Sequence, residues 1–329
     1  MNQLDAVASA FRDGGLRRAL AVHRLQRRRS LRYAIASAPI EAVVPLDDVC
    51  AELVRLGDDV ARLGIGGACR AAMRRWDLEP VVVAHPRVWE LMETGPFLAV
   101  GNHATGLEAG LFSSLADRFD LYHLAGTFVA TASPGLSSVL LTLDNPAVDA
   151  PVAKWPLRER MLRTVEGAVW PGDPHGGGSR RNLATLRRAA DLINGGAGVH
   201  IFPAGSMHPG SRWQPGVGWL VRRLQRAAPG TVPHVVAVVY GVTDAHLAAS
   251  ALFRRRPWIR ALARAVVGLS SPLSLYAPAP VRVDRLGIGP HSTSREATAI
   301  LHELWRTAHA EAARAVPCWR RAPAVLGAR

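Results

Sequence analysis

Residues 97–103 of this chain are Phe97-Leu98-Ala99-Val100-Gly101-Asn102-His103, a short apolar run that ends in two polar residues. A run of this length without a polar residue inside it is typical of a strand buried on both faces, as in a parallel sheet. Similar β-branched runs recur at 81–83, 199–202 and 235–239, and helical patterns lie between them, most clearly at 183–193. This order predicts an α/β fold with a mixed, mostly parallel central sheet flanked by helices.

The first part of the chain lacks such runs and carries helical patterns instead. Residues 1–36 and roughly 47–75 each space their apolar side chains as amphipathic helices do. We therefore expect an N-terminal helical extension over 1–78, followed by an α/β domain over 79–329. The glycine-rich stretch 64–69 follows no predicted strand, and for that reason it does not predict a dinucleotide-binding loop.

The charge of the chain narrows the classes of partner. Its formal net charge is +14, and almost all of the positive charge is arginine, because Lys154 is the only lysine. A field this positive attracts polyanions such as nucleic acids, anionic lipid surfaces, acidic carrier proteins and phosphorylated cofactors. The sequence has no zinc-finger spacing, RNP-like aromatic strand or helix-turn-helix pattern, so no nucleic acid is expected as a partner.

Cysteine spacing and hydropathy bear on where the protein works. Cys50, Cys69 and Cys318 are far apart and form no CxxC pair, which favours a reducing cytoplasm and predicts neither a disulfide framework nor a zinc site. The sequence contains no stretch of about 18 apolar residues, so no membrane span is predicted. The basic amphipathic segment 251–270 suits either an anionic membrane surface or packing of its apolar side on the sheet. We expect a cytoplasmic protein, with peripheral binding to the inner face of the membrane left open.

The polar residues after the central run suggest a catalytic pair. His103 directly follows the predicted strand, at the end where open α/β sheets place their sites. Glu108 comes five residues later, in the predicted first turn of the next helix. A carboxylate there can accept the Nδ1 proton of the imidazole, which leaves the other ring nitrogen bare to act as a general base. For these two residues taken alone, a structural histidine at a strand end is the alternative.

Two longer blocks resemble a known family. The block Asn102-His103-Ala104-Thr105-Gly106-Leu107-Glu108 resembles the first motif of the lysophospholipid and glycerol-phosphate acyltransferases, an Asn-His pair followed by four residues and an acid. About a hundred residues later, Val199-His200-Ile201-Phe202-Pro203-Ala204-Gly205-Ser206 resembles that family's strand followed by Phe-Pro-Glu-Gly and Ser or Thr. Segments 167–171, 180–196 and 232–238 are similar to further parts of the family in the expected order. The likeness covers about 80–245.

The resemblance implies a reaction and a set of site residues. It implies transfer of an acyl group from acyl-CoA or an acyl carrier protein to a hydroxyl acceptor such as a lysophospholipid, without an acyl-enzyme. His103 would be the general base and Glu108 the acid that orients it. No metal and no tightly bound cofactor are expected. The residues expected to bind substrate belong to the two motifs and to the start of a later helix: Asn102, Thr105, Gly106, Arg180, Arg181, Phe202, Pro203, Ala204, Gly205 and Ser206.

Three departures from the family pattern keep two alternatives open. Glu108 stands where the family has aspartate, and Ala204 stands where many members have glutamate. The family's phosphate-binding arginine is missing near Asp173, with Arg180 or Arg181 as substitutes. The first alternative is a lipid- or carrier-binding protein of the same fold without turnover. The second is a hydrolase in which water replaces the acceptor.

Further expectations concern the surroundings of the site. Backbone N–H groups around Gly205 and Ser206 are expected to stabilise the oxyanion of the tetrahedral intermediate. A helical apolar segment over 136–143 is expected to line an acyl tunnel or to pack in the core. The helix over 294–313 is expected on the surface. Four further histidines lack ligand spacing and are expected in core or surface roles: His123, His200, His208 and His234.

Overall fold

The computed structural model describes part of the chain, and the account below is limited to that part. The described residues are 3–35, 37, 46–76, 80–102, 108–144, 178–205, 212–226, 232–241 and 274–316. Four of the predicted site residues lie outside these ranges, namely His103, Thr105, Gly106 and Ser206. His208 and the basic segment 251–270 also lie outside them.

The described residues form helices and strands that alternate from residue 81 onward. The helices are α1 (Gln3–Arg29), α2 (Leu46–Arg75), α3 (Pro86–Glu93), α4 (Glu108–Leu115), α5 (Thr127–Ala132), α6 (Gly178–Asn194), α7 (Pro215–Gln225) and α8 (Ser294–Ala315). The strands are β1 (Val81–Ala84), β2 (Phe97–Gly101), β3 (Leu121–Gly126), β4 (Leu140–Leu143), β5 (Gly198–Ile201), β6 (His234–Gly241), β7 (Ser274–Ala277) and β8 (Val281–Arg282). None of these helices has both the length and the hydropathy needed to cross a bilayer.

The described strands form one eight-stranded sheet. Its order is β1-β7-β6-β2-β5-β3-β4, and β8 pairs with β6 beside this path. The five strands β6, β2, β5, β3 and β4 run parallel, so their carboxyl ends lie along one edge. The strands β1 and β7 run parallel to each other and antiparallel to β6. The predicted α/β fold with a mixed, mostly parallel sheet is confirmed.

Strand β2 lies in the middle of this sheet and is covered on both faces. Phe97 and Ala99 belong to a core formed with α2, α3 and α4. Leu98 and Val100 belong to a second core, formed with α6, α7 and α8. All four side chains are fully buried, which explains why the strand has no polar residue before its end. Burial of each large apolar side chain of this kind contributes about 1.5–3 kcal/mol.

The predicted N-terminal helices are present, and α2 packs on the α/β core. Ala68 and Cys69 of α2 are buried in the same cluster as Phe97. Gly66 permits this close packing, because a Cβ there would lie 2.0 Å from the Ala116 carbonyl oxygen just after α4. The glycine-rich stretch is therefore a helix-packing surface. A domain boundary after residue 78 stays a prediction.

One sequence-based expectation about a secondary element is wrong. The stretch over 136–143 is not helical, because Pro134–Leu136 forms a 3-10 turn and Leu140–Leu143 forms the outer strand β4. Helix α8 is the surface helix that was expected. Its residues Ala297, Leu301 and Ala312 are fully buried along one stripe, as is usual where a surface helix packs on a core.

Candidate active site at the carboxyl edge of the sheet

The two motif blocks meet at one edge of the sheet. Strands β2 and β5 are adjacent and parallel, and Val100 pairs with Ile201 in their register. Asn102 and Phe202 therefore both follow the ends of neighbouring strands, whose separation is about 4.8 Å. Residues that are a hundred positions apart in sequence are brought together at the edge where open α/β folds place their sites.

Asn102 is fixed to the strand on the other side of β2. Its Oδ1 accepts a hydrogen bond from the Tyr240 backbone N–H at 3.0 Å, and its Nδ2 donates to the Tyr240 carbonyl at 3.4 Å. A side chain thus continues the β2–β6 pairing one step beyond the strand. Because each polar atom of the amide makes one of these bonds, Asn102 is held in place immediately before His103. Its expected contact with substrate stays a prediction.

Glu108 is the first residue of α4 and is almost completely buried, with 2% of its surface exposed. Buried carboxylates are rare unless they have polar partners. A negative charge at a helix N-terminus is also favoured by the helix dipole. Burial, together with the nearby charge of Glu108, raises the pKa of the Tyr240 phenol well above its ordinary value. The charge of Glu108 therefore acts on the phenol of Tyr240.

Tyr240 lies beside the start of the motif. Its backbone holds Asn102, its ring covers Gly101, and the charge of Glu108 acts on its phenol. A Cβ at position 101 would lie 2.8 Å from the Tyr240 ring, which explains why glycine ends β2. Nothing in the sequence singles out Tyr240, because its position depends on the pairing of β6 with β2.

Behind Tyr240 lies a line of buried polar side chains. The Tyr240 hydroxyl lies 3.1 Å from His200 Nε2. The Nδ1 atoms of His200 and His123 are 3.1 Å apart. On its other side, the His123 ring places Nε2 2.6 Å from Ser113 Oγ. His200 stacks on Phe112 with ring centroids 4.6 Å apart. Burial lowers the pKa of His123 to about 4, so its ring is neutral at pH 7. These two histidines were expected in core or surface roles, and the structure places both in the core. Their mutual contact was not anticipated.

The second motif forms a turn after β5. The Gly205 N–H donates to the Phe202 carbonyl at 2.9 Å, and Gly205 has a φ of +60°, a conformation that favours glycine. The Pro203 carbonyl accepts from the Gln214 N–H at 2.9 Å. Ala204 is half-buried and Gly205 is exposed. The Gly205 N–H is thus used within the turn, and the expected oxyanion contact from backbone N–H groups around Gly205 and Ser206 stays a prediction.

Phe202 has a packing role on the other side of this turn. Its ring meets His200 edge-on at a centroid distance of 4.6 Å and lies 6.3 Å from the ring of Tyr240. It also packs against the core beneath α4. Phe202 therefore connects the second motif to the polar side chains behind Glu108.

The two predicted phosphate-binding arginines lie farther along the same edge. Arg181 Nε donates to Asp144 at 2.7 Å, whereas Arg180 is exposed at the start of α6. Asp144 follows β4, which lies three strands from β2, a distance of about 14 Å. A phosphate at Arg181 would compete with the Asp144 carboxylate. Among the ion pairs of the described residues, Arg180 has no carboxylate partner that a phosphate would have to displace.

Cys69 is the one cysteine described near this region, and its environment does not suit a nucleophile. It is buried in α2, and burial raises the pKa of its thiol to about 12 against the opposing effect of a hydrogen bond with Ser113. A reactive cysteine needs a stabilised thiolate, which this apolar position does not provide.

Comparisons with known proteins do not assign the chain to a family. No protein-family model matches it, and the search of curated proteins found no match either. The assignment of function therefore depends on the residues and the geometry of the site.

Proposed function

We propose that this protein is an acyltransferase that moves a fatty acyl group from acyl-CoA or an acyl carrier protein to a hydroxyl acceptor such as a lysophospholipid. The observation that carries the proposal is the meeting of two acyltransferase-like blocks at the ends of the adjacent strands β2 and β5. The buried Glu108 at the start of the helix that follows the first block is a second support. The mixed, mostly parallel sheet is also consistent with the fold of that family.

In this proposal His103 accepts the proton of the acceptor hydroxyl as its oxygen attacks the thioester carbonyl. A C–O bond forms, the C–S bond breaks, and the thiolate leaves with the proton that His103 had taken. Glu108 orients the imidazole and stabilises its protonated form. General-base catalysis of this kind contributes roughly 10²–10⁴-fold in rate. The route needs no acyl-enzyme, in agreement with the raised pKa of the buried Cys69.

The charge of the protein favours acidic partners. Its net charge of +14 would attract the phosphates of acyl-CoA, an acidic carrier protein or an anionic membrane surface in the cytoplasm. Arg180 is the better candidate for a phosphate on the acceptor, because Arg181 is paired with Asp144. We propose no nucleic acid as a partner and no tightly bound cofactor.

The proposal is tested by incubating the purified protein with a panel of acyl-CoA and acyl carrier protein donors. Lysophospholipids, glycerol phosphate and a cell extract serve as acceptors, and products are identified by mass spectrometry. His103→Ala should lower the rate of acyl transfer by roughly 10²–10⁴-fold. Glu108→Asp should retain activity if the family geometry holds, and Glu108→Gln should not. The exposed His291 provides the control His291→Ala, which should have the rate of the original protein.

Each other outcome points to a different function. Release of free fatty acid without an acylated product would indicate the hydrolase. Binding of acyl thioesters without turnover, unchanged in His103→Ala, would indicate the binding protein. A full rate of acyl transfer in His103→Ala would contradict the proposed mechanism.

A further inference from the structure

The end of α1 and the helical residues 31–35 after it carry large aliphatic side chains on the outside of the protein. Leu31, Ile35 and Leu25 have 77%, 65% and 43% of their surface exposed. A single exposed aliphatic side chain is ordinary on a protein surface, but three within so short a segment form a patch. A patch of this kind marks a surface that contacts a partner or a membrane.

These side chains lie on one face of the helix. The Ser30 N–H donates to the Gln26 carbonyl at 2.9 Å, and the Ala34 N–H donates to the Ser30 carbonyl at 3.0 Å, so the helical pattern continues across Ser30. Residues three and four positions apart in such a segment share a face. We call the exposed face the basic helix face, and it consists of Leu25, Arg28, Leu31, Arg32 and Ile35.

The opposite side of the same segment is fixed within the protein. His23 and Tyr33 are buried there, and His23 Nδ1 lies 2.8 Å from the Tyr33 hydroxyl. The Tyr33 N–H also donates to Ser30 Oγ at 3.2 Å. Because these contacts fix the rotation of the helix about its axis, Leu31 and Ile35 stay on the outer side.

The charge of this part of the chain is entirely positive. Residues 14–40 contain seven arginines and no acidic residue. Within the part of the chain that the structure describes, Arg28 and Arg32 form no ion pair with a carboxylate. Clusters of roughly four to eight Arg or Lys on an amphipathic helix are typical of segments that bind anionic lipids.

We propose that the basic helix face binds the surface of an anionic membrane. Leu31 and Ile35 enter the boundary between headgroups and acyl chains, and Arg28 and Arg32 contact lipid phosphates. A second copy of this chain does not suit the face, because an isologous interface would set two positive surfaces without an acid against each other. A nucleic acid would pair with the arginines but leave the aliphatic side chains in water, since only aromatic side chains stack on bases.

The helix that carries this face also contacts the edge of the sheet at which the candidate site lies. Helix α1 packs against α5, and α5 directly follows β3, whose carboxyl end is at that edge. Membrane binding by α1 would therefore keep the candidate site close to lipid acceptors. This link to acyl transfer rests on the proposed function, whereas the binding of the basic helix face to a membrane does not.

Membrane binding is measured by sedimentation of the purified full-length protein with sucrose-loaded vesicles. One set of vesicles is phosphatidylcholine alone, and the other has equal parts of phosphatidylcholine and phosphatidylglycerol. We expect binding to the anionic vesicles that weakens as salt is added, because salt screens the arginines. Equal binding to both sets, or binding to neither, would overturn the inference.

The double variant Arg28→Gln, Arg32→Gln tests the charged part of the face. Its affinity for the anionic vesicles should fall about thirtyfold, since each arginine near an anionic surface contributes about fivefold. The matched control is Arg187→Gln, Arg188→Gln, which removes two exposed arginines of α6 on the face of the sheet away from α2. The control should bind as the original protein does. Equal losses in the two double variants would mean that only the net charge matters, and they would overturn the inference.

The variant Leu31→Ala tests the apolar part of the face. Its affinity for the anionic vesicles should fall about tenfold, because less apolar surface leaves water on binding. The matched control is Phe119→Ala, which removes a side chain of similar exposure, 76%, just before β3; it should leave the affinity unchanged. Equal affinities of these two variants would overturn the inference. So would a Leu31→Ala variant that binds vesicles normally but has a smaller mass by light scattering, because the face would then join two copies of the chain.

The outcomes separate this inference from the proposed function. Vesicle binding by a protein that transfers no acyl group would leave the inference intact and end the proposed function. Acyl transfer by a protein that binds neither set of vesicles would do the reverse. Where both hold, Arg28→Gln, Arg32→Gln should slow acyl transfer to lysophospholipid in anionic vesicles and leave transfer to water-soluble glycerol phosphate unchanged.

Discussion

The Asn102 side chain and the Tyr240 backbone form two hydrogen bonds, one donated and one accepted, just beyond the last paired residues of β2. An ordinary strand would continue this pairing with its own backbone. Here the Asn102 side chain takes over the pairing at the end of β2. Asn102, which lies between β2 and the proposed general base His103, is thereby held by the neighbouring strand.

Asn102→Ala is expected to affect both stability and turnover. It removes two hydrogen bonds, of which the 3.0 Å bond is the stronger, so we expect the free energy of unfolding to fall by about 1–2 kcal/mol. We also expect a fall in kcat, because the residue beside His103 loses its anchor. Urea unfolding and acyl-transfer kinetics measure the two effects. The matched control is Gln225→Ala, which removes two side-chain bonds to the carbonyls of Val283 and Ile288. An equal loss of kcat in both variants would contradict this assignment.

Gly101→Ala is expected to destabilise the protein through contact with Tyr240. The added Cβ would lie 2.8 Å from the buried Tyr240 ring and 3.1 Å from the Val238 carbonyl oxygen. Overpacking of this kind costs about 1–3 kcal/mol. The cost should shrink when Gly101→Ala is made in a Tyr240→Ala background, because the obstructing ring is then absent. Chemical unfolding of the two single variants and the double variant checks this coupling, and strict additivity would refute it.

His123 is expected to make stability depend on pH. Burial lowers its pKa from 6.5 to about 4, so between these values the unfolded chain binds a proton that the folded protein does not. Stability should therefore decline as pH falls from 6.5 to 4, by about 3 kcal/mol from this group. In His123→Asn this contribution disappears, and unfolding between pH 7 and pH 4 should show a smaller decline. His291→Asn makes the same substitution at an exposed position and serves as the matched control. If the free energy of unfolding of His123→Asn fell as steeply between pH 7 and pH 4 as that of the original protein, His123 would not be the buried neutral ring that causes the decline.

Arg118 is expected to be a main anchor at the opposite edge of the sheet. All five of its N–H donors are used: two bind the Asp120 carboxylate, and three bind the carbonyls of Leu91, Gly95 and Gly196. Only a planar guanidinium fills such an arrangement, so lysine is a poor replacement. Asp120 is half exposed, so the main loss is that of hydrogen bonds from a charged donor, which contribute about 1.5–3 kcal/mol each.

The experiment compares Arg118→Lys with a surface control. We expect Arg118→Lys to lower the free energy of unfolding by about 2–4 kcal/mol, since most of the forked hydrogen bonds are lost. Arg87→Lys alters an exposed pair with Glu90, and it should change stability by less than about 1 kcal/mol. Equal effects in the two variants would show that Arg118 is not an anchor. Acyl transfer should be retained by the folded Arg118→Lys protein, because Arg118 lies at the amino ends of β2, β3 and β5.

The strands that could be predicted from the sequence are those whose side chains are buried on both faces of the sheet. Phe97–Val100 and Val235–Val239 are apolar throughout because both faces of these strands are covered, and that pattern is visible in the sequence. The outer strands β3 and β4 were missed. Tyr122, His123 and Thr142 break their apolar pattern, and the pairing that stabilises these strands is not a property of their own residues.

The amino-acid sequence by itself determined the buried central strands, the helices between them and the two motifs that follow β2 and β5, because each depends on residues close together in the chain. Only the tertiary structure decided that Tyr240 lies beside Asn102, that His123 faces His200, and that the Gly205 N–H is used within its own turn. Those contacts depend on strand order and register. A shift of one residue in the pairing of β3 with β5 would turn His123 to the other face of the sheet.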